Sequence, residues 1–176
     1  VRPDSVRALV RGYFGAIPRG PAITRDAPPA FSLQRDTMAV LEDRVQLPRL
    51  YYTWHTVKGT ADDDPALSVL AYILAGTKNA RLTRPMVYTD QLATNVRAYQ
   101  DGSRLDGQFG IVATARPGKT LPELQAVIDR QLARIEAEGP SKREVDQAYN
   151  SIESDFLSTL ERVMRKADRL NAYYYE

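Results

Sequence analysis

The side chains that most often carry chemistry are sparse in this chain of 176 residues, which has one histidine, His55, and no cysteine. A catalytic zinc usually takes three protein ligands, and the helix that supplies two of them reads His-x-x-Glu-His, its glutamate activating water. One imidazole without a thiolate cannot reproduce that set, so no metal ligand is assigned. His55 follows Trp54 in an alternating stretch, where a strand histidine packs or hydrogen-bonds at a sheet surface. Asp62-Asp63-Asp64 offers carboxylates suited to a hard cation, but not at the spacing of a calcium-binding loop. Asp64 before Pro65 reads instead as a helix start whose carboxylate accepts a backbone N–H. Ser68 and Ser151 fall in helical patterns with no evident base, and no Gly-x-Ser-x-Gly elbow is present. Gly12-Tyr13-Phe14-Gly15 is a helix end without the strand-loop-helix context of a phosphate cradle. No residue is assigned a catalytic role.

Composition narrows the classes further. With 43% apolar and 26% charged residues the chain can build one ordinary core, and residues 1–176 are expected to form a single domain. The 24 basic and 22 acidic residues are interspersed, so no basic stripe points to nucleic acid as a partner. No run approaches the roughly 20 apolar residues of a membrane-spanning helix, and no apolar signal core opens the chain. Localisation stays open, with bacterial periplasm and cytoplasm both compatible. The chain begins on a helix start, Val1-Arg2-Pro3, and stops at Tyr174-Tyr175-Glu176 inside an amphipathic pattern. Both ends are therefore expected to continue in a longer polypeptide.

The elements follow from periodicity. Pro3 to Phe14 reads as a helix with Val6, Leu9, Val10 and Tyr13 on one side, closed by Gly15. Residues 16–36 carry Pro18, Pro21, Pro28 and Pro29 and read as an extended connector. Strands are expected over Thr37–Glu42, Arg49–Val57, Ala93–Asp101 and Gln108–Ala115, with Leu50, Tyr52 and Trp54 alternating against Tyr51, Thr53 and His55. Leu67, Leu70 and Leu74 recur at helical spacing up to Gly76, which is expected to end that helix in a left-handed conformation. A second helix is expected around Ala80-Arg81-Leu82, kinked or split by Pro85. Thr120-Leu-Pro-Glu123 and Ser141-Lys-Arg-Glu144 are capping boxes that open two further amphipathic helices. The last pattern, from Lys142 to Tyr174, would span about 50 Å if unbroken, so a break near Thr159 is expected. Linked strands should pair antiparallel, giving an α+β two-layer sandwich of a mainly antiparallel mixed sheet covered by helices.

Asp64 to Val96 as a whole resembles the non-catalytic domain type of the insulinase/pitrilysin family of zinc metallopeptidases. There an aliphatic run ending Ile-Leu-Gly-Gly-Gly leads into Ser-Arg-Leu and later Leu-Ala-Tyr; here the counterparts are Ile73-Leu74-Ala75-Gly76-Thr77, Ala80-Arg81-Leu82 and Leu92-Ala93-Thr94. Val6–Gly20, Asp43–Trp54, Ala115–Leu121 and Glu138–Glu144 extend the resemblance, in order, over nearly the whole chain. It implies the metallohydrolase-like fold of the mitochondrial processing peptidase type.

The resemblance also implies what this chain lacks. The family's catalytic domains carry His-x-x-Glu-His, absent here, so zinc is expected in the catalytic domain of the parent protein and no cofactor in this chain. A substrate-gripping arginine and a tyrosine seven positions on fall, by this register, at Val87 and Thr94, neither of which can do that job. Arg81 and Tyr88 share the spacing, but Arg81 belongs to the Ser-Arg-Leu element. The implied role is therefore an inactive domain that packs on an adjacent zinc-bearing domain and completes half of a chamber around unfolded peptides. Relatives that serve as structural core subunits of a respiratory complex, or as accessory subunits of two-chain peptidases, give the alternatives. The apolar stripe from Val145 through Leu170 and Tyr173 exceeds what a small sheet can cover, so the isolated fragment is expected to self-associate.

Overall fold

The computed structural model describes residues 2–22 and 33–175, so Pro28 and Pro29 of the connector lie outside the described residues. The chain divides into two compact units, Val1–Phe31 and Ser32–Glu176. In the first, helix α1 covers Pro3–Phe14, as its periodicity predicts. Proline at the helix start loses no needed donor, and Asp4 sits in the first turn, where a negative charge is favourable. Val6, Leu9, Val10 and Tyr13 form one stripe, and none is buried within this unit. Residues 18–22 have no regular structure.

The second unit is built on a three-stranded antiparallel sheet in the order β1-β3-β2, with β1 Arg49–Thr56, β2 Ala93–Gly102 and β3 Gly107–Ala115. β2 and β3 form the expected hairpin. β1 pairs with β3 rather than with a neighbour in sequence, Tyr52 lying opposite Ile111 and Trp54 opposite Phe109. Helices α2 Asp64–Ala75, α3 Leu121–Glu138 and α4 Lys142–Leu160 accompany the sheet, and α5 Val163–Tyr175 follows a break at residues 161–162, close to the expected one.

The core lies between one sheet face and the helices. Ile111, Ala113 and Phe109 of β3 meet Leu74 of α2, Leu124 and Ile128 of α3, and Leu82 and Met86 from the segment between α2 and β2. Leu74, Leu82, Met86, Ile111, Leu124 and Ile128 are fully buried, each such side chain contributing about 1.5–3 kcal/mol. Both capping boxes form, Glu123 accepting from the Thr120 N–H and Glu144 from the Ser141 N–H, each at 2.8 Å. At the sheet's edge Tyr52 stacks on Trp54, with ring centroids 5.5 Å apart.

The fold departs from the periodicity at several points. Residues 37–42 are not a strand; they have no ladder partner among the described residues, and Met38, Val40 and Leu41 are exposed. An alternating pattern without a neighbouring strand leaves the backbone unpaired. Asp64 is the first residue of α2 rather than its cap, and its carboxylate accepts from Gln100 Nε2 at 3.0 Å. Gly76 ends α2 with φ −73°, not left-handed; a side chain there would collide with Tyr72, whose ring would stand 2.5 Å from the added carbon. Ala80-Arg81-Leu82 is a turn, followed by a single π-helix over Arg84–Thr89 with Pro85 in its first turn. Proline lacks the N–H that would have carried an α-helix through this position.

Gly59 and Gly102 bring two backbone segments together: a Cβ on Gly102 would lie 2.5 Å from Gly59 Cα, and one on Gly59 would lie 2.6 Å from the Gly102 carbonyl oxygen. This contact sets the approach of the loop before α2 to the end of β2, where the Gly59 N–H also donates to Ser103 O at 2.8 Å. Gly102→Ala is expected to lower stability by about 1–3 kcal/mol through overpacking against backbone, read as a lower urea midpoint at unchanged slope.

Candidate functional site

After α2 the chain turns back on itself, the Arg81 N–H donating to Ile73 O and the Leu82 N–H to Leu74 O at 3.1 and 2.8 Å. With Leu82 buried as the anchor, the Arg81 side chain is directed at the junction between α3 and α4. Its Nε and Nη2 donate to the two carboxylate oxygens of Glu144 at 2.7 and 2.8 Å, and Nη2 also donates to Gly139 O at 3.1 Å. The Ser141 N–H and hydroxyl donate to the same Glu144 carboxylate, both at 2.8 Å. One carboxylate thus closes the capping box of α4 and holds a bidentate arginine, the strong form of charge-assisted pairing. The Arg81 bond pulls the Glu144 carboxyl down to about 2, against the opposing effect of burial, and Ser141 adds to the pull. The same bond raises the Arg81 guanidinium above its ordinary value. Nη1 of Arg81 is buried without an acceptor.

Arg81 and Glu144 also line an open cleft of about 590 Å³, together with Arg84, Gln131, Arg134 and Glu138. Arg134 is bonded to Glu138 one turn on, at 3.1 Å, and both side chains are more than half exposed. Arg84 is exposed and has no acidic partner among the described residues. Sequence reading assigns Arg81 to its structural element but misses Glu144 as its partner, 63 residues away. The capping box, which turns the Glu144 carboxylate back along α4, is the one signal that points to this junction.

The remaining candidates are dispersed. His55 lies on the open face of β1, its Nε2 3.4 Å from Asp106 Oδ2. Among the described residues no group of His, Cys, Asp or Glu is arranged to hold a metal. Ser151 accepts from the Tyr72 hydroxyl at 2.8 Å, a tie between α4 and α2. Val87 lies half-buried in the π-helix against the core, and its carbonyl accepts from Arg116 Nη2 at 3.2 Å. Thr94 is the extra residue of a bulge, the pairing passing from Ala93–Ala115 to Asn95–Thr114, and its hydroxyl donates to Thr114 O at 3.2 Å. Tyr88 is half exposed. These side chains assemble no catalytic arrangement among the described residues.

Arg81→Ala removes two bonds to a partly buried carboxylate and one to Gly139 O, leaving Glu144 only its Ser141 bonds, so a loss of about 2–3 kcal/mol is expected in denaturant unfolding. Arg81→Lys, which cannot make the planar fork, should recover only part of it. The depressed Glu144 carboxyl stabilises the fold fully above the unfolded carboxylate value, near 4.5, and that contribution is lost as pH falls toward about 2. Stability should therefore drop between those pH values in the native chain, and the drop should be smaller in Glu144→Gln, whose residual stability no longer titrates at this site.

The fold is shared with proteases. A protease from Helicobacter pylori superposes with a TM-score of 0.83 at 21% identity, over 99% of this chain and 43% of that one. The peptidase M16 inactive domain from Pseudomonas fluorescens gives a TM-score of 0.65 at 20% identity, over 91% of this chain and 40% of that one. A chain of complex III2 from Candida albicans gives 0.59 at 15% identity, over 71% and 32%. The present chain thus spans less than half the length of each of these structures. No curated protein matches the sequence. The family described as the peptidase M16 inactive domain matches residues 1–152, and the chain belongs to it.

Proposed function

We propose that this chain is the non-catalytic half of a zinc metalloendopeptidase, packing on a zinc-bearing domain of the same or a partner chain to complete a chamber around unfolded peptides. In this reading the zinc, held by the partner domain, supplies the hydrolytic chemistry, and the present chain supplies a wall and hydrolyses nothing by itself. Family membership over residues 1–152 carries the reading, and it is joined by one physical observation: within its own unit α1 buries none of its apolar stripe of Val6, Leu9, Val10 and Tyr13. Exposed contiguous apolar surface marks a site of association. Val87 and Thr94 take no part in gripping substrate, because the first has no polar side-chain atom and the second already serves the bulge.

Leu9→Glu places a charge on that stripe. Binding to the zinc-bearing domain, measured by calorimetry, is expected to weaken at least about tenfold, because a buried unpaired charge costs several kcal/mol. The melting temperature of this chain should not change, since Leu9 belongs to no core of its own unit. Binding that survives the substitution, or cleavage of unfolded peptide by this chain alone, would sink the proposal. In the isolated chain the exposed side chains of α5, Leu170 and Tyr173 among them, are expected to drive self-association, seen in sedimentation as a mass above the monomer.

A further inference from the structure

The cleft between the α2–π-helix turn and the α3–α4 junction holds charged groups that the fold uses only in part, through the Arg81–Glu144 tie, and that the proposed wall function does not use. Its two lining acids are already engaged, Glu144 by Arg81 and Glu138 by Arg134. Arg84 is left at the rim as a cation that no acid among the described residues neutralises. Arg81 is held rigid by Glu144 and Gly139 while its Nη1 lacks an acceptor. The Arg134–Glu138 pair is exposed and contributes little, so Arg134 can change partners at small cost and leave the exposed Glu138 carboxylate to water. Gln131, one turn before Arg134 on α3, adds a side-chain amide to the same wall.

We propose that this cleft binds a small oxyanion, a carboxylate or a phosphate, with Arg84 as the leading contact, Arg134 turning to meet it and Arg81 as the fixed wall. Guanidinium groups suit such ligands because their planar N–H pairs match two oxygens at once. The cleft volume of about 590 Å³ admits a small molecule rather than a folded partner. Only the side chains of this cleft enter into such binding, so its presence or absence leaves the peptidase reading unaffected.

The test is calorimetric titration of the full chain with inorganic phosphate and, separately, with glutarate, in about 0.15 M sodium chloride so that loose surface pairing is screened. Saturable one-to-one binding of at least one anion is expected, and the tighter of the two identifies the ligand as a phosphate or a carboxylate. Arg84→Gln should weaken it about tenfold or more, the value of one charge-assisted contact, at an unchanged melting temperature because that side chain is exposed. Arg134→Gln, which gives up only an exposed pair, should weaken it by a smaller factor. The absence of saturable binding by both anions, or binding by Arg84→Gln as tight as that of the native chain, would overturn the proposal.

Discussion

β3 is the only described strand whose backbone is paired on both sides, and the larger unit is registered on it. Its residues alternate, Phe109, Ile111, Ala113 and Ala115 facing the core and Gly110, Val112 and Thr114 the opposite face. A slip of one residue would exchange these sets and turn the core outward. The register also places the polar contacts that reach the helices. Tyr52, opposite Ile111, donates to Asp129 of α3 at 2.6 Å, and Gln100, opposite Phe109, donates to Asp64 of α2 at 3.0 Å. Burial, helped by the Asp129 bond, holds the Tyr52 hydroxyl above its ordinary value. Sheet register and helix position are thereby one constraint.

The helices are tied to one another by side chains distant in sequence. Tyr72 to Ser151 joins α2 to α4, and Arg81 to Glu144 joins the turn after α2 to the start of α4. The second tie is the stronger, because its carboxylate is also committed to Ser141 and cannot turn away without opening the capping box. An arginine suits this place where a lysine does not: Nε and Nη2 span the two carboxylate oxygens while Nη2 also reaches the Gly139 carbonyl that ends α3. The three segments that meet there border the arginine-lined cleft.

Local signals are legible in the sequence, and signals that depend on a distant neighbour are not. The capping boxes at Thr120 and Ser141, the helix over Pro3–Phe14 and the three strands can be read because each depends on residues within a few positions. Residues 37–42 alternate like a strand, but alternation cannot say whether a partner exists. Asp64 has the chemistry of a cap; Gln100, 36 positions away, claims its carboxylate instead. Gly76 reads as a left-handed stop, whereas its small size accommodates the Tyr72 ring. The family fold is legible from the order of its segments, and the match over residues 1–152 bears that out. The cleft is not legible, because Arg84, Arg134 and Glu144 come from three elements whose meeting only the tertiary fold decides.

Val87 and Thr94 serve the scaffold between the π-helix and β2. Arg116 organises this region: its Nε donates to Ala93 O at 3.1 Å, its Nη2 to Val87 O at 3.2 Å, and its N–H to Leu92 O at 2.8 Å. One cation thus satisfies carbonyls at the end of the π-helix and at the start of β2, where irregular backbone leaves acceptors without ladder partners. Val87 packs its side chain against the core, and Thr94 spends its hydroxyl on the bulge that starts β2. An arginine at Val87 would bring a charge to the edge of that core, and a tyrosine at Thr94 would lose the hydroxyl bond to Thr114. The backbone at these positions is fixed by what the scaffold needs, and the side chains there follow it.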